Sequence, residues 1–539
     1  MRIQRTGFGV AFLLLALTTF IGLQSQNARA EITDHLPAAH ETSEQEEAPA
    51  HDTTTEHDTD PAHPGEGSDP GETSDHGASD EHANAHHSLH LDGSTVSVLW
   101  CIPFIGILLS IAILPLVAAR FWHHHYGKVS LFWGLSFFLA FSYANGIEVG
   151  LFYLSEVYLG EFIPFIVLLL ALFTVSGGIL LKGSLRGTPV VNTGILLIGT
   201  ILASWMGTTG AAMLLIRPLI RANSWRKKKV HIIVFFIFLV ANVGGSLTPL
   251  GDPPLFLGFL KGVSFFWTTQ HLIVPMMFVS SVLLLIFYFL DVHFHKSEEP
   301  PPDDGNNKTP LSIEGQENLL LLPLIIGAVV LSGVWHSKIN NPEDVAITLF
   351  GTPMLTEGTF AQVSLLLLIT IISVRITKKE TREENGFTWE PIVEVAKLFA
   401  TIFLTMVPAI AILKAGTDGA LAPIVSLVTN DGQPVNSMYF WCTGVLSSFL
   451  DNAPTYVVFF NTAGGDAVQL MGEMKQTLIA ISCGAVFMGA NTYIGNAPNF
   501  MVKSIAEEND IDMPSFFGYM AWSCGILVPV LVVVTFIFF

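Results

Sequence analysis

Gly245-Ser246-Leu247-Thr248-Pro249-Leu250-Gly251-Asp252-Pro253-Pro254-Leu255-Phe256 and Gly489-Ala490-Asn491-Thr492-Tyr493-Ile494-Gly495-Asn496-Ala497-Pro498-Asn499-Phe500 align without a gap at an offset of 244 positions. Gly, Thr, Gly, Pro and Phe coincide, and each block interrupts an apolar run with residues that end helices. Gly245, Gly251, Pro253 and Pro254 make the first break; Gly495 and Pro498 make the second. An interrupted helix leaves backbone groups without partners, and inside a bilayer such groups are tolerated only where protein or a polar cavity satisfies them. Duplicated interruptions in corresponding places point to a transport site near mid-membrane.

Composition sets the medium. The chain has 539 residues, is 50% hydrophobic and only 13% charged, and its mean hydropathy is +0.54. Many apolar runs approach the roughly 20 residues that cross a bilayer. The fold class expected is an all-α polytopic membrane protein built from two inverted repeats, each with a re-entrant hairpin and a broken transmembrane helix. Cys101, Cys442, Cys483 and Cys524 all lie in apolar segments and read as small buried hydrophobes rather than disulfide partners. No nucleic-acid partner is expected; the partner is membrane lipid.

The formal charge of −20 is concentrated near the N-terminus, where residues 31–92 hold 17 Asp and Glu and no Lys or Arg. Residues 1–30 read as a signal peptide, with Arg2 and Arg5 before an apolar stretch and Ala28-Arg29-Ala30 at its end. Residues 31–93 have almost no large apolar side chains and read as a disordered extracytoplasmic tail rich in His, Asp and Glu. His86, His87 and His90 are candidates for weak capture of zinc, nickel or copper. No ligand spacing repeats, which favours a merely solvated acidic tail.

Basic loops follow the spans at about 96–118 and 162–181, and the most basic loop is Arg221 to Lys229. Placing them inside puts the tail outside, as in a multi-pass protein of a bacterial inner membrane. A further span at about 129–156 carries Glu148, expected to face protein or a cavity. Residues 94–295 form the first repeat, 296–315 a polar linker and 316–539 the second repeat. The short arms 190–205 and 211–220, joined by Gly207-Thr208-Thr209-Gly210, read as a hairpin entering from inside. The arms 439–450 and 455–460 around Asp451-Asn452-Ala453-Pro454 read as its counterpart from outside. Ser204 aligns with Ser448 at the same offset.

Two hairpin tips and two breaks should therefore meet. Their polar side chains are the candidate ion or substrate ligands: Thr208, Thr209, Thr248, Asp252, Asp451, Asn452, Asn491, Thr492 and Asn496. An acid at bilayer depth is costly without a counter-ion. Asp252 aligns with Asn496 and Asp451 with Gly207, so the two acids come from different elements of opposite halves. Two carboxylates sharing a dehydrated pocket cannot both stay ionised without a cation beside them. Such a pair can alternate between protons and Na⁺. No Lys or Arg lies in either tip or break, which disfavours a multiply charged anion. Structural readings stay open beside these: Asp252 held by backbone N–H groups in its turn, and Asp451 as an N-cap.

At these motifs the chain resembles the ion-transporter superfamily. Gly-Gly-Ser-Leu-Thr-Pro-Leu-Gly-Asp and Phe-Leu-Asp-Asn-Ala-Pro-Thr are similar to the NhaD-type sodium/proton antiporters and the related citrate-transporter group. The resemblance covers about residues 95–539. It implies a homodimer, an elevator-like motion, and Asp252 and Asp451 as carriers of Na⁺ and H⁺, with no cofactor. Dicarboxylate symporters of the superfamily carry Ser-Asn-Thr where this chain has Gly-Thr-Thr and Asp-Asn-Ala-Pro, and Pro253-Pro254 replaces the hydroxyl residues usual after Gly-Asp. The expected function is sodium/proton antiport; the alternative is cation-coupled transport of citrate or another organic anion. No His-Glu-x-x-His or Gly-x-Ser-x-Gly motif suggests an enzyme.

Overall fold

A helix breaks where its backbone must turn closer than a side chain permits, and two glycine contacts do this here. The Cα of Gly251 sits so near its own chain that a Cβ would lie 2.1 Å from the Gly245 carbonyl oxygen. At Gly495 a Cβ would lie 2.5 Å from the oxygen of Gly489. The computed structural model, which describes residues 91–298, 310–338 and 345–539, is built around these two turns. The signal segment, residues 31–90 with His86, His87 and His90, and linker residues 299–309 lie outside the described residues.

The first broken helix runs Val230–Leu239, passes through a tight turn at Val243–Leu247, and restarts as Pro253–Leu260. The second runs Lys475–Met488, turns at Gly489–Asn491, and restarts as Ala497–Glu508. Both restarts carry Pro in the first two helical positions, where a missing N–H costs nothing. The hairpins sit beside them. Pro189–Met206 and Thr208–Ala222 are separated by Gly207 at φ +81°, a conformation that suits only a residue without Cβ. Asn436–Phe449 and Asn452–Thr462 form the second hairpin.

Among the described residues the fold is otherwise helical, with three two-stranded antiparallel pairs. Among the described residues nine helices are long and apolar enough to cross a membrane. Their burial sorts them. Val230–Leu247 is 89% buried and Ile147–Ser176 is 83% buried, so both are central. Val98–Val117 and Phe516–Phe538 are each 28% buried and present side chains such as Leu99, Val117 and Phe536 outward, where hydrocarbon covers them at no cost. Cys101 and Cys483 are buried as expected, whereas Cys524 is exposed; all four cysteines are free.

Several boundaries differ from those read in the sequence. The apolar runs 129–156 and 162–181 divide at Gly146 rather than between 156 and 162. A helix Ala119–Asn145 ends at Gly146, φ +96°, and one continuous span then runs Ile147–Ser176 through a π-helical turn at Val157–Phe162. Glu148 consequently lies in the first turn after Gly146 and is exposed. The long apolar stretches on either side of Ser142–Glu148 masked the Asn145-Gly146 turn between them. The last residues assigned to the tail also belong to the fold: Leu91 N donates to the Tyr153 hydroxyl at 2.7 Å, and Gly93 is pressed against the Ala411 carbonyl of helix Glu390–Lys414. The end of the linker is a strand. Ser312–Glu314 pairs antiparallel with Leu180–Lys182, and Lys182 bridges Glu314 at 2.9 Å and Glu384 at 2.7 Å.

One buried polar cluster ties the base of the first hairpin to the rest. The fully buried Asp291 accepts from Arg226 and from His231 Nε2 at 2.8 Å through Oδ1, and from Asn192 Nδ2 at 2.9 Å through Oδ2. Asn223 Nδ2 donates back to Asn192 at 2.8 Å. Four segments (hairpin start, basic loop, first broken helix and Trp267–His295) thus share one carboxylate. Removing it leaves a buried guanidinium without its counter-charge, so Asp291→Ala is expected to lower stability by about 3–5 kcal/mol, read as the thermal midpoint in detergent. Gly251→Ala, which collides with backbone, should cost about 1–3 kcal/mol. Gly194→Ala, where nothing lies within 4 Å of the added carbon, should leave the midpoint unchanged or raise it.

Candidate functional site

The hairpin tips and breaks are held together by the same hydrogen bonds at the same offset. Ser204 Oγ donates to Gly244 O, and Thr248 Oγ1 donates to Ser204 O. Ser448 Oγ donates to Met488 O at 3.1 Å, and Thr492 Oγ1 donates to Ser448 O. The backbone N–H of Leu250 reaches Thr248 Oγ1 at 3.2 Å, as that of Ile494 reaches Thr492 Oγ1 at 3.2 Å. Each serine–threonine pair pins a hairpin arm to its break. The hydroxyls of Thr248 and Thr492 are committed to this task and do not line the cavity beside the breaks. Asn491 lies in the same layer, its Nδ2 donating to Ser448 Oγ at 2.9 Å. Read from sequence as candidate ligands, these three instead support the breaks from behind.

Asp252 and Asn496 occupy the N-cap positions of the two restarting helices, in extended conformations (φ −144° and −153°), yet neither side chain caps its helix. They turn to each other. Asn496 Nδ2 donates to Asp252 Oδ1 at 3.0 Å. Thr208 Oγ1 donates to the same oxygen at 3.2 Å, and Asn452 Nδ2 donates to Oδ2 at 2.6 Å. The carboxylate is 1% exposed and receives one donor from each hairpin tip and one from the opposite break. A backbone-held turn, one structural reading of Asp252, does not describe it. An ionised carboxylate only accepts hydrogen bonds, and three side-chain donors suit that form.

Asp451 behaves differently. Its Oδ1 accepts from Ala453 N at 3.0 Å, so it does cap the second hairpin arm, and it is half-buried. Among the described residues that is the one hydrogen bond its carboxyl makes, and it makes none to Asp252. Both acids line one cavity of about 110 Å³, together with Thr208, Thr209 and Asn496. That is ample for several waters, since one needs about 10–15 Å³. The remaining wall is apolar: Leu168, Leu172 and Phe173 from Ile147–Ser176, and Ile392, Val395 and Phe399 from Glu390–Lys414. Among the described residues no Lys, Arg or His lines it. Chemically the lining offers two acids, two hydroxyls and an amide.

Two amides carry information that composition did not. Asn452 is fully buried and its Oδ1 has no partner. Asn242, absent from the candidates, lies in an apolar run and bridges the two breaks. Its Nδ2 donates to Ile237 O at 2.8 Å and Asn499 Oδ1 at 2.7 Å, and its Oδ1 accepts from Asn496 at 3.2 Å. Asn499 in turn donates to Gly489 O and Thr492 O. A single amide inside the run Val230–Leu247 was the available signal.

A comparison with protein families matches residues 93–539 to a family described as "Putative citrate transport". No curated protein matches the chain. With the match covering nearly the whole helical body and nine candidate spans inside it, the chain belongs to this family of membrane transporters.

Proposed function

We propose that the chain is a secondary transporter that exchanges Na⁺ for H⁺ at the cavity shared by Asp252 and Asp451. The observation that carries this reading is the charge of the lining: two carboxylates and no base. A small cation entering the cavity meets acids and neutral oxygens, and its charge offsets the repulsion between the carboxylates. When it leaves, protons supply the compensation. Asp252 holds its geometry through Thr208, Asn452 and Asn496, while Asp451 keeps an oxygen free of protein donors toward the cavity.

The recurrence of the serine–threonine bonds at offset 244 supports two repeats, and the bond between residues 252 and 496, themselves offset mates, supports a pseudo-two-fold axis through the site. With the basic loops inside, the repeats run in opposite directions and the N-terminal segment lies outside. The proposed setting is a homodimer in a bacterial inner membrane, moving its site in an elevator-like manner.

The family description favours a second reading, transport of citrate coupled to a cation, with the same carboxylates as the cation site. Everted vesicles separate the two. In the antiporter, adding Na⁺ releases a preformed proton gradient with no carboxylate substrate present, as reported by dye dequenching. In the citrate transporter, labelled citrate accumulates and Na⁺ alone releases nothing. Asp252→Asn should reduce the Na⁺ response to that of vesicles lacking the protein; Asp451→Asn should weaken it strongly. Full responses in both variants would place the exchange elsewhere. Thr492→Val, by contrast, should act on stability, costing about 1 kcal/mol for the lost hydrogen bond, with the Na⁺ dependence of the remaining activity preserved.

A further inference from the structure

Asn496 is the one amide among the cavity-lining residues. Its Nδ2 faces three oxygens: Ala241 O at 3.2 Å, Asn242 Oδ1 at 3.2 Å and Asp252 Oδ1 at 3.0 Å. Its Oδ1 accepts no hydrogen bond among the described residues. Which end of an amide faces a cavity decides whether the cavity gains a donor or an acceptor. Here it gains an acceptor, which suits a cation.

That orientation has a source outside the cavity. Asn242 is fully buried and does not line it. Both Nδ2 hydrogens of Asn242 are used, one toward Ile237 O and one toward Asn499 Oδ1. Its own oxygen must therefore point to Asn496. Turning the Asn496 amide round would set its oxygen against three others. A cation that draws the Asp252 oxygens toward itself weakens one of those three constraints; Asn242 and the Ala241 carbonyl keep the other two.

Two further features fit. Gly489 carries no Cβ where Asn242 and Asn452 approach: an added carbon would lie 3.1 Å from Asn242 Oδ1 and 3.4 Å from Asn452 Nδ2. The residue offset by 244 from Asn242 is Val486, an apolar residue inside the helix Lys475–Met488, whereas Asn242 lies beyond the end of Val230–Leu239 at φ −141° and ψ −81°, so the amide belongs to the first break alone.

We propose that Asn242 is a positioning residue that gives the site its affinity for a cation, by fixing the carbonyl end of Asn496 toward the cavity. This rests on the cation-exchange reading of the site. The test uses purified protein in proteoliposomes, ²²Na⁺ uptake driven by an outward proton gradient, and thermal melting with and without Na⁺. Asn242→Val is expected to raise KM for Na⁺ by about tenfold or more, the equivalent of one lost hydrogen bond to a charged site. The maximal rate and the melting point without Na⁺ should stay near those of the unaltered protein, while the Na⁺-dependent rise in melting point is lost. Should Asn242→Val not fold, Gly489→Ala, which presses on the same amide, carries the same expectation for KM.

An unchanged KM and Na⁺ shift in Asn242→Val overturn the proposal. So does a fall in rate and melting point with KM unaltered, which marks Asn242 as structural only. Absence of any Na⁺ uptake by the unaltered protein instead overturns the cation-exchange reading, and this inference with it.

Discussion

A carboxylate sealed from water is among the most expensive groups a membrane protein can hold, and the arrangement of Asp252 sets the terms for everything around it. Its two oxygens collect hydrogen bonds from Thr208, Asn452 and Asn496. Those donors come from three segments far apart in sequence. Each can deliver its group only if a helix stops at the right place, so two hairpins and the second break are drawn to one point. Glycine contacts make the breaks, serine–threonine pairs pin the hairpins to them, and the long helices Ile147–Ser176 and Glu390–Lys414 close the remaining side with apolar wall.

The division of labour between the two acids follows from their positions. Asp252 is held from three directions and has little freedom. Asp451 caps a helix with one oxygen and stands half-buried. One acid thus defines the geometry of the pocket and the other stays adaptable to what enters. The same contrast separates the two polar clusters. The Asp291 carboxylate is met by a guanidinium as well as by neutral donors, which neutralises it in place. Asp252 is met by neutral donors alone, and its charge remains unbalanced by protein.

Much of this was legible in the chain because helix interruptions leave marks that need no alignment: glycine pairs, a Pro at a restart, a polar dipeptide in an apolar run. Those marks located the tips, the breaks, Asp252, Asp451, Asn452, Asn496 and Thr208. They did not give the direction of a side chain. Thr248 and Thr492 sit in the interruptions but face the hairpins, because a hydroxyl next to a free carbonyl bonds it before it can serve a cavity, and the Asn491 amide likewise donates to the Ser448 hydroxyl. Asn242 was hidden by its surroundings and by having Val486 as its offset mate. The cavity wall carried no mark, since Leu168 or Phe399 facing a pocket is indistinguishable from one facing lipid. The end of a helix at Gly146 was marked by Asn145-Gly146, a turn dipeptide that the apolar residues around it outweighed.

The meeting of residues 252 and 496 has a corollary. On the two-repeat reading proposed above, positions 252 and 496 lie on the diad itself, where an exactly repeated chain would confront each with its own copy. Two aspartates there would set two acids directly against each other; two asparagines would supply a bond but no charge. Only an unequal pair gives both an ionisable acid and a neutral donor to hold it, and that is the pair the two breaks present.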